Sequence, residues 1–300
     1  MEKKNLISHS KNQDMLNVFF TVSPITSLII KMIINEYNLS ERNVLIVSFR
    51  KSNTSILDYN CLSISPKLID RLTQKILFYS LTAQKILKKV NKRKFVLYTS
   101  WAFKEANTLI SRKNCEGHIY IEEGQGSYSP IHIPYDYKNL KIHEKFLINF
   151  RNRVNSENGK SYAFRDDVSL YVGISSKVFP SANKPKLILD YNSIDPKDYN
   201  PKLKGITHIG LTCAARRLQN NGWEEMIEKL VKALPKDSCI NLHPSFKVLG
   251  IEDQISKKIN QLSGGSIKLC SDDTIIELEM IFEQKILVGS KSSLSIYAKI

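Results

Sequence analysis

Between residues 17 and 124, short apolar runs and longer amphipathic runs take turns. "NVFFTV", "NVLIVSF", "KFVLYTS" and "GHIYIEEG" have strand length and are rich in Val, Ile, Phe and Tyr. Between them lie "SLIIKMIINEY", the long stretch 65–90 and "WAFKEANTLISRK", each with apolar residues at helical spacing. Strands that read as unbroken apolar runs are buried on both faces, so the alternation predicts a parallel sheet covered by helices.

The pattern fades from about residue 131 to 185, where "SENGKS" reads as a loop and "SANKPK" as a connector. It then restarts. "GITHIGLTC", "SCINLHP", "SIKLC" and "KILVGS" read as strands, alternating with helices over 222–235, 250–263 and 272–283. Asp272 or Asp273 is placed to cap the last of these helices. With the boundary near 182, the expected domains are 1–182 and 183–300, two α/β units with a cleft between them. Ligands in such folds bind outside the carboxyl ends of the strands.

Three motifs fall at those ends. Glu122 and Glu123 close "IYIEE" and run into Gly124 and Gly126. His243-Pro244 closes "INLHP", and Pro244 biases the preceding residue toward extended backbone. Ser292-Ser293 follows "LVGSK" at an expected helix start, where hydroxyls and N–H groups suit an anion. Taken singly, each has an ordinary reading: a solvated strand end, a loop histidine, a helix cap. Their order and shared placement make them a set.

In that order the motifs resemble those of bacterial sialyltransferases of glycosyltransferase family 52, the lipooligosaccharide and capsule enzymes, with the family 38 polysialyltransferases as relatives. The opening "FFTVSPITSLI", with Ser23-Pro24-Ile25-Thr26 after a strand, is similar to the family 52 opening. The resemblance implies a GT-B fold, two Rossmann-like domains with parallel sheets facing across a cleft. The N-terminal domain would carry the base on the acceptor side, and the C-terminal domain would bind the CMP-sugar. It implies Glu123 as catalytic base and His243 as stabiliser of the leaving phosphate. Gly124, Gly126, Pro244, Glu277, Ser292 and Ser293 would contact the donor, with Glu277 on the ribose and Glu279 its competitor. It implies CMP-sialic acid as donor, a glycan or glycolipid acceptor, and no cofactor or metal. The motif continues Ser245-Phe246-Lys247 where many family 52 members have a basic residue at once. Another nucleotide-activated donor on the same fold is the nearest alternative.

Charge and cysteine usage narrow the setting. The 44 Lys and Arg against 29 Asp and Glu leave +15, which attracts nucleic acid, anionic membrane or phosphorylated substrates. The basic residues are dispersed and no nucleic-acid-binding motif appears, so a basic nucleic-acid-binding protein is the weaker alternative. Lys85, Lys88, Lys89, Lys92, Arg93 and Lys94 crowd one helix end and its loop, a candidate contact with anionic lipid. The five cysteines are scattered with no CxxC pair, as expected in a reducing cytoplasm. No Gly-x-Gly-x-x-Gly follows a strand and no Asp-x-Asp is placed to hold a divalent ion. The N-terminal apolar run is interrupted by Thr21, Ser23, Pro24 and Lys31, against a signal peptide or membrane span. The expectation is a cytoplasmic enzyme, peripheral on the inner membrane face, with a homodimer left open.

Overall fold

The computed structural model describes residues 15–49, 59, 61–64, 81–100, 104–110, 112–123, 125–128, 168–180, 182, 184–190, 201–215, 218, 222–243, 245–271 and 274–289. The chain divides into two compact units, Met1–Ile194 and Asp195–Ile300.

The first unit holds seven strands. These are β1 (Leu16–Thr21), β2 (Val44–Ser48), β3 (Cys61–Ser63), β4 (Phe95–Thr99), β5 (Cys115–Ile121), β6 (Val168–Gly173) and β7 (Lys186–Ile188). All pairings are parallel, in the spatial order β3-β2-β1-β4-β5-β6-β7. This is the Rossmann order, extended by one strand. The direction of winding reverses between β1 and β4, and β5 lies next to that switch point. Every residue of β1 and β4 is buried, as their apolar runs require. The exception proves instructive: Asn17 is buried in β1, yet its amide donates to the Asn43 carbonyl (3.2 Å) and accepts the Tyr98 hydroxyl (3.2 Å). Helix α1 (Pro24–Glu36) starts on a capping box between Ser23 and Thr26, with Pro24 in its first turn. Helices α2 (Leu81–Val90) and α3 (Lys104–Ile110) follow, and Ile86, Val90, Ala106 and Leu109 pack on Val18, Phe20 and Leu97.

The domain break falls after Ile194, later than the expected 182. The reason is β7, which pairs with β6 and therefore belongs to the first sheet. Sequence reading placed Lys186 in a connector because three residues are too few to show a period.

The second unit has β8 (His208–Leu211), β9 (Cys239–Asn241), β10 (Lys268–Leu269) and β11 (Ile286–Gly289), parallel in the order β10-β9-β8-β11. Four helices accompany them: α4 (Trp223–Ala233), α5 (Ser245–Leu249), α6 (Glu252–Ser263) and α7 (Ile276–Phe282). One cluster joins Ile227 and Leu230 of α4 to Ile240, Phe246, Ile255 and Ile259. A second joins Leu203, Ile209, Leu211 and Cys239 to Ile276 of α7. Each such side chain contributes roughly 1.5–3 kcal/mol on burial. Gly289 has a φ of +123°, and a Cβ there would run into the Leu211 carbonyl oxygen of the neighbouring strand. Only glycine fits that close approach. Helix α7 begins at Ile276 behind Ile275, without a side-chain cap. The expected caps Asp272 and Asp273 lie outside the described residues.

Candidate functional site

Two strand ends carry the candidate residues, one in each unit. At the end of β5 the chain stays in the sheet one residue longer, because the Glu122 N–H donates to the Val172 carbonyl (2.9 Å). Glu122 is completely buried, and its Oε2 accepts the N–H of Ile174 at 2.9 Å. Glu123, the next residue, is half-buried, and its N–H donates to the Ser127 hydroxyl at 3.1 Å. Successive strand side chains face opposite ways, which separates the two acids by environment. Gly126 sits in a 3₁₀ turn, Gln125–Tyr128, that follows at once. Gly124 lies outside the described residues.

His243 is exposed two residues beyond β9. Its N–H donates to Thr212 Oγ1 at 2.7 Å, which ties it to the end of the adjacent strand β8. The ring is held by a relay of short bonds. The Ala215 N–H donates to Ser245 Oγ (2.8 Å), the Ser245 N–H donates to His243 Nδ1 (3.1 Å), and Ser245 Oγ is 2.8 Å from that same nitrogen. An imidazole nitrogen that receives a backbone N–H is an acceptor, so this network assigns the ring proton to Nε2. The Ser245 hydroxyl then accepts from Ala215 and donates to Nδ1. Sequence reasoning missed Thr212 and Ser245. The signal for Ser245 was its position two after the histidine, where a hydroxyl returns readily to the ring. Pro244 lies outside the described residues.

Strand β8 lies between β9, which ends at Asn241, and β11, which ends at Gly289. Ser292 and Ser293 themselves lie outside the described residues.

Helix α7 carries both glutamates proposed for the ribose. Glu279 is buried, and its two oxygens accept the N–H groups of Lys202 (2.7 Å) and Leu203 (3.0 Å). Glu277 is half-buried, and burial of its carboxyl raises it to about 7, offset in part by its own N–H. At neutral pH it is therefore shared between the acid and the carboxylate. Lys285 has a buried side chain whose Nζ donates to the carbonyls of Leu203 (2.7 Å) and Ile206 (2.9 Å) and pairs with Glu283 (2.5 Å). The segment before β8 is thus pinned through both its donors and its acceptors.

Part of the basic helix end is spent on structure. Arg93 donates to the Arg42 carbonyl (2.9 Å) and to Asn43 Oδ1 (2.8 Å), and Lys94 pairs with Glu116 at 2.9 Å. Lys85, Lys88, Lys89 and Lys92 are exposed. Among the described residues, no group of three or more His, Cys, Asp or Glu is placed to hold a metal ion. No described helix is long and apolar enough to cross a membrane.

No protein-family model matches the chain, and no curated protein matches it in sequence. Solved structures do match. The sialyltransferase from Photobacterium damsela superposes with a TM-score of 0.53 at 11% identity, over 93% of this chain and 71% of that one. Anabaena HepE, solved in complex with UDP and glucose, gives 0.48 at 12% identity, over 94% and 82%. A putative UDP-N-acetylglucosamine 2-epimerase from Listeria monocytogenes gives 0.46 at 10% identity, over 86% and 69%. With two parallel α/β sheets in two units and the likeness to the Photobacterium enzyme, the chain has a glycosyltransferase-like fold of the GT-B type.

Proposed function

We propose that the protein is an inverting, metal-independent sialyltransferase that moves sialic acid from CMP-sialic acid to a hydroxyl of a bacterial surface glycan, with galactose or sialic acid as the accepting sugar. The observation that carries the reading is chemical: an acid and a histidine of the right kinds stand at carboxyl strand ends of the two parallel sheets. The motif resemblance and the shared fold agree with it.

Transfer substitutes at a crowded tertiary carbon that already bears a carboxylate, so the transition state resembles an oxocarbenium ion. The acceptor oxygen bonds to the anomeric carbon as the bond from that carbon to the phosphate oxygen breaks. The acceptor proton passes to the Glu123 carboxylate, and CMP leaves with the bonding pair. A positioned base contributes about 10²–10⁴-fold. Charge grows on the leaving phosphate, and a neutral imidazole with its proton on Nε2 is a suitable hydrogen-bond donor to it. Pro244 would bias that histidine toward extended backbone. Ser292 and Ser293 hold the same phosphate, Glu277 takes the ribose hydroxyls, and Gly124 and Gly126 let the sugar approach the backbone. A single displacement inverts the centre, so a β-linked donor gives an α-linked product. The acceptor is a glycan or glycolipid at the inner membrane face, with exposed lysines drawing the enzyme to anionic lipid.

The test is incubation of the protein with CMP-sialic acid, and in parallel with UDP- and CDP-linked donors, on galactose-terminated acceptors in excess EDTA. The expected product gains one or more sialic acid masses in α-linkage, from the CMP donor alone. Transfer from a UDP- or CDP-linked donor instead, or activity restored only by Mn²⁺ or Mg²⁺, overturns the assignment.

A further inference from the structure

Glu122 does something the proposed chemistry leaves unexplained: a carboxylate is buried directly beside the candidate base. Burying such a group is unfavourable unless donors meet it. Here they do. Its Oε2 accepts the Ile174 N–H at 2.9 Å, one residue past β6, and its own N–H bonds to Val172. The Tyr128 hydroxyl lies at the same carboxylate. Burial raises that hydroxyl above the ordinary tyrosine range, and the Glu122 charge adds to the rise.

The loop between Glu122 and Tyr128 is fastened elsewhere to the same neighbour. The Phe179 N–H donates to the Ser127 carbonyl at 2.7 Å, while the Ser127 hydroxyl accepts the Glu123 N–H at 3.1 Å. Tyr120, Tyr171, Val178 and Phe179 pack beneath it, with Tyr128 against them. The fit around the acid is tight as well. A Cβ on Gly173 would stand 2.7 Å from Glu122 Oε2 and 2.7 Å from Val178 Cγ1.

We propose that Glu122, the Ile174 amide and the packed ring of Tyr128 form a buried brace that fixes the loop carrying Glu123, with Glu122 as a positioning residue. The proposal rests on reading Glu123 as the base. An acceptor is required at 122 because the Ile174 N–H is directed at it, and the carboxyl Oε2 meets that donor. An apolar side chain of equal size would leave the Ile174 N–H buried without its acceptor. The loop would then shift, and small displacements of a catalytic group are costly in rate.

Three variants test it: Glu122→Leu, Glu122→Gln and Gly173→Ala, each followed by amide hydrogen exchange and by transfer kinetics. Glu122→Leu should speed exchange at the Ile174 and Glu123 amides and lower kcat by about tenfold or more with donor KM unchanged. Glu122→Gln keeps an oxygen for Ile174, so protection and most of kcat should return. Gly173→Ala presses on the same carboxylate and should reproduce the Leu signature in milder form. If Glu122→Leu does not fold, the other two variants still decide, because Gln must protect Ile174 and Ala must expose it. Unchanged exchange at Glu123 in Glu122→Leu or Gly173→Ala overturns the brace, as does an opened loop with full kcat. If the wild-type protein transfers sugar from no donor, the reading of Glu123 as base fails and the exchange pattern alone decides the brace.

Discussion

The end of β5 in the first unit and helix α7 in the second each carry two glutamates, and both pairs divide in the same way. Glu122 is buried on the Ile174 N–H while Glu123 is half-buried. Glu279 is buried on the N–H groups of Lys202 and Leu203 while Glu277 is half-buried. The spacing produces both divisions. Adjacent strand residues face opposite ways, and residues two apart on a helix are about 200° apart. One acid of each pair holds backbone, and the other is the one to which the proposed mechanism gives a chemical role. Acidic clusters in this fold are therefore read by partition rather than by count.

The sharpest way to break that comparison is at the first pair. Glu123→Gln should lower transfer by about 10²-fold or more while the melting temperature stays near that of the wild type. A half-buried side chain gives up little stability when it becomes its own amide. Retained turnover in a steady-state assay would remove the base from Glu123 and end the division of roles in the first unit.

The second pair offers the converse. Glu279→Ala leaves the Lys202 and Leu203 N–H groups without their carboxylate, and should cost about 2 kcal/mol of unfolding free energy in urea titrations. Affinity for a cytidine nucleotide should fall far less, because the carboxylate faces the 202–203 segment. A Glu279→Ala protein of normal stability but weak nucleotide binding would reverse the assignment within α7.

Glu277 sharpens the same contrast through pH. Burial raises its carboxyl to about 7, above the unfolded value of 4.5. The folded state then binds more protons than the unfolded state between those limits, so unfolding free energy falls as pH rises from about 4.5 to about 7. Below 4.5 the contribution is fully present, and above 7 it has been lost. The loss should be roughly 1–2 kcal/mol once solvent access is allowed for. Glu277→Gln should flatten that part of the stability curve, measured by urea unfolding at several pH values. An unchanged slope would place the shift elsewhere.

Much of this was legible in the sequence, for physical reasons that also explain what was not. The apolar runs of β1, β4 and β5 are buried and that of β2 is buried over its second half, and burial is what writes a continuous apolar pattern. Strands β3 and β7 have three residues each, too few for any period. Strand β6 is hard to read for a different reason: it lies within the stretch where the pattern weakens, so "VSLYVG" has no neighbours to frame it. Of the site, residue types and strand ends could be read, because glycine and proline mark where strands stop. Hydrogen-bond partners could not. Ile174 is 52 residues from Glu122, and Lys202 is 77 from Glu279, so topology alone brings them together.

The smallest effect expected lies away from both pairs, on the basic end of α2. Six cations were candidates for anionic lipid, but Arg93 is bonded to Arg42 and Asn43, and Lys94 to Glu116. Lys94 is exposed but ion-paired, and Lys85, Lys88, Lys89 and Lys92 are the other exposed lysines of this end. Lys88 and Lys89 lie in the last turn of the helix, where cations also favour the negative end of its dipole. A basic side chain near an anionic membrane contributes about 1 kcal/mol. Lys88→Gln should therefore weaken flotation with anionic liposomes several-fold, and raised salt should weaken the wild type likewise. Lys94→Gln should change lipid binding less, since its ion pair to Glu116 already answers its charge. Equal flotation with neutral and anionic vesicles would leave these four lysines as a solvated helix end.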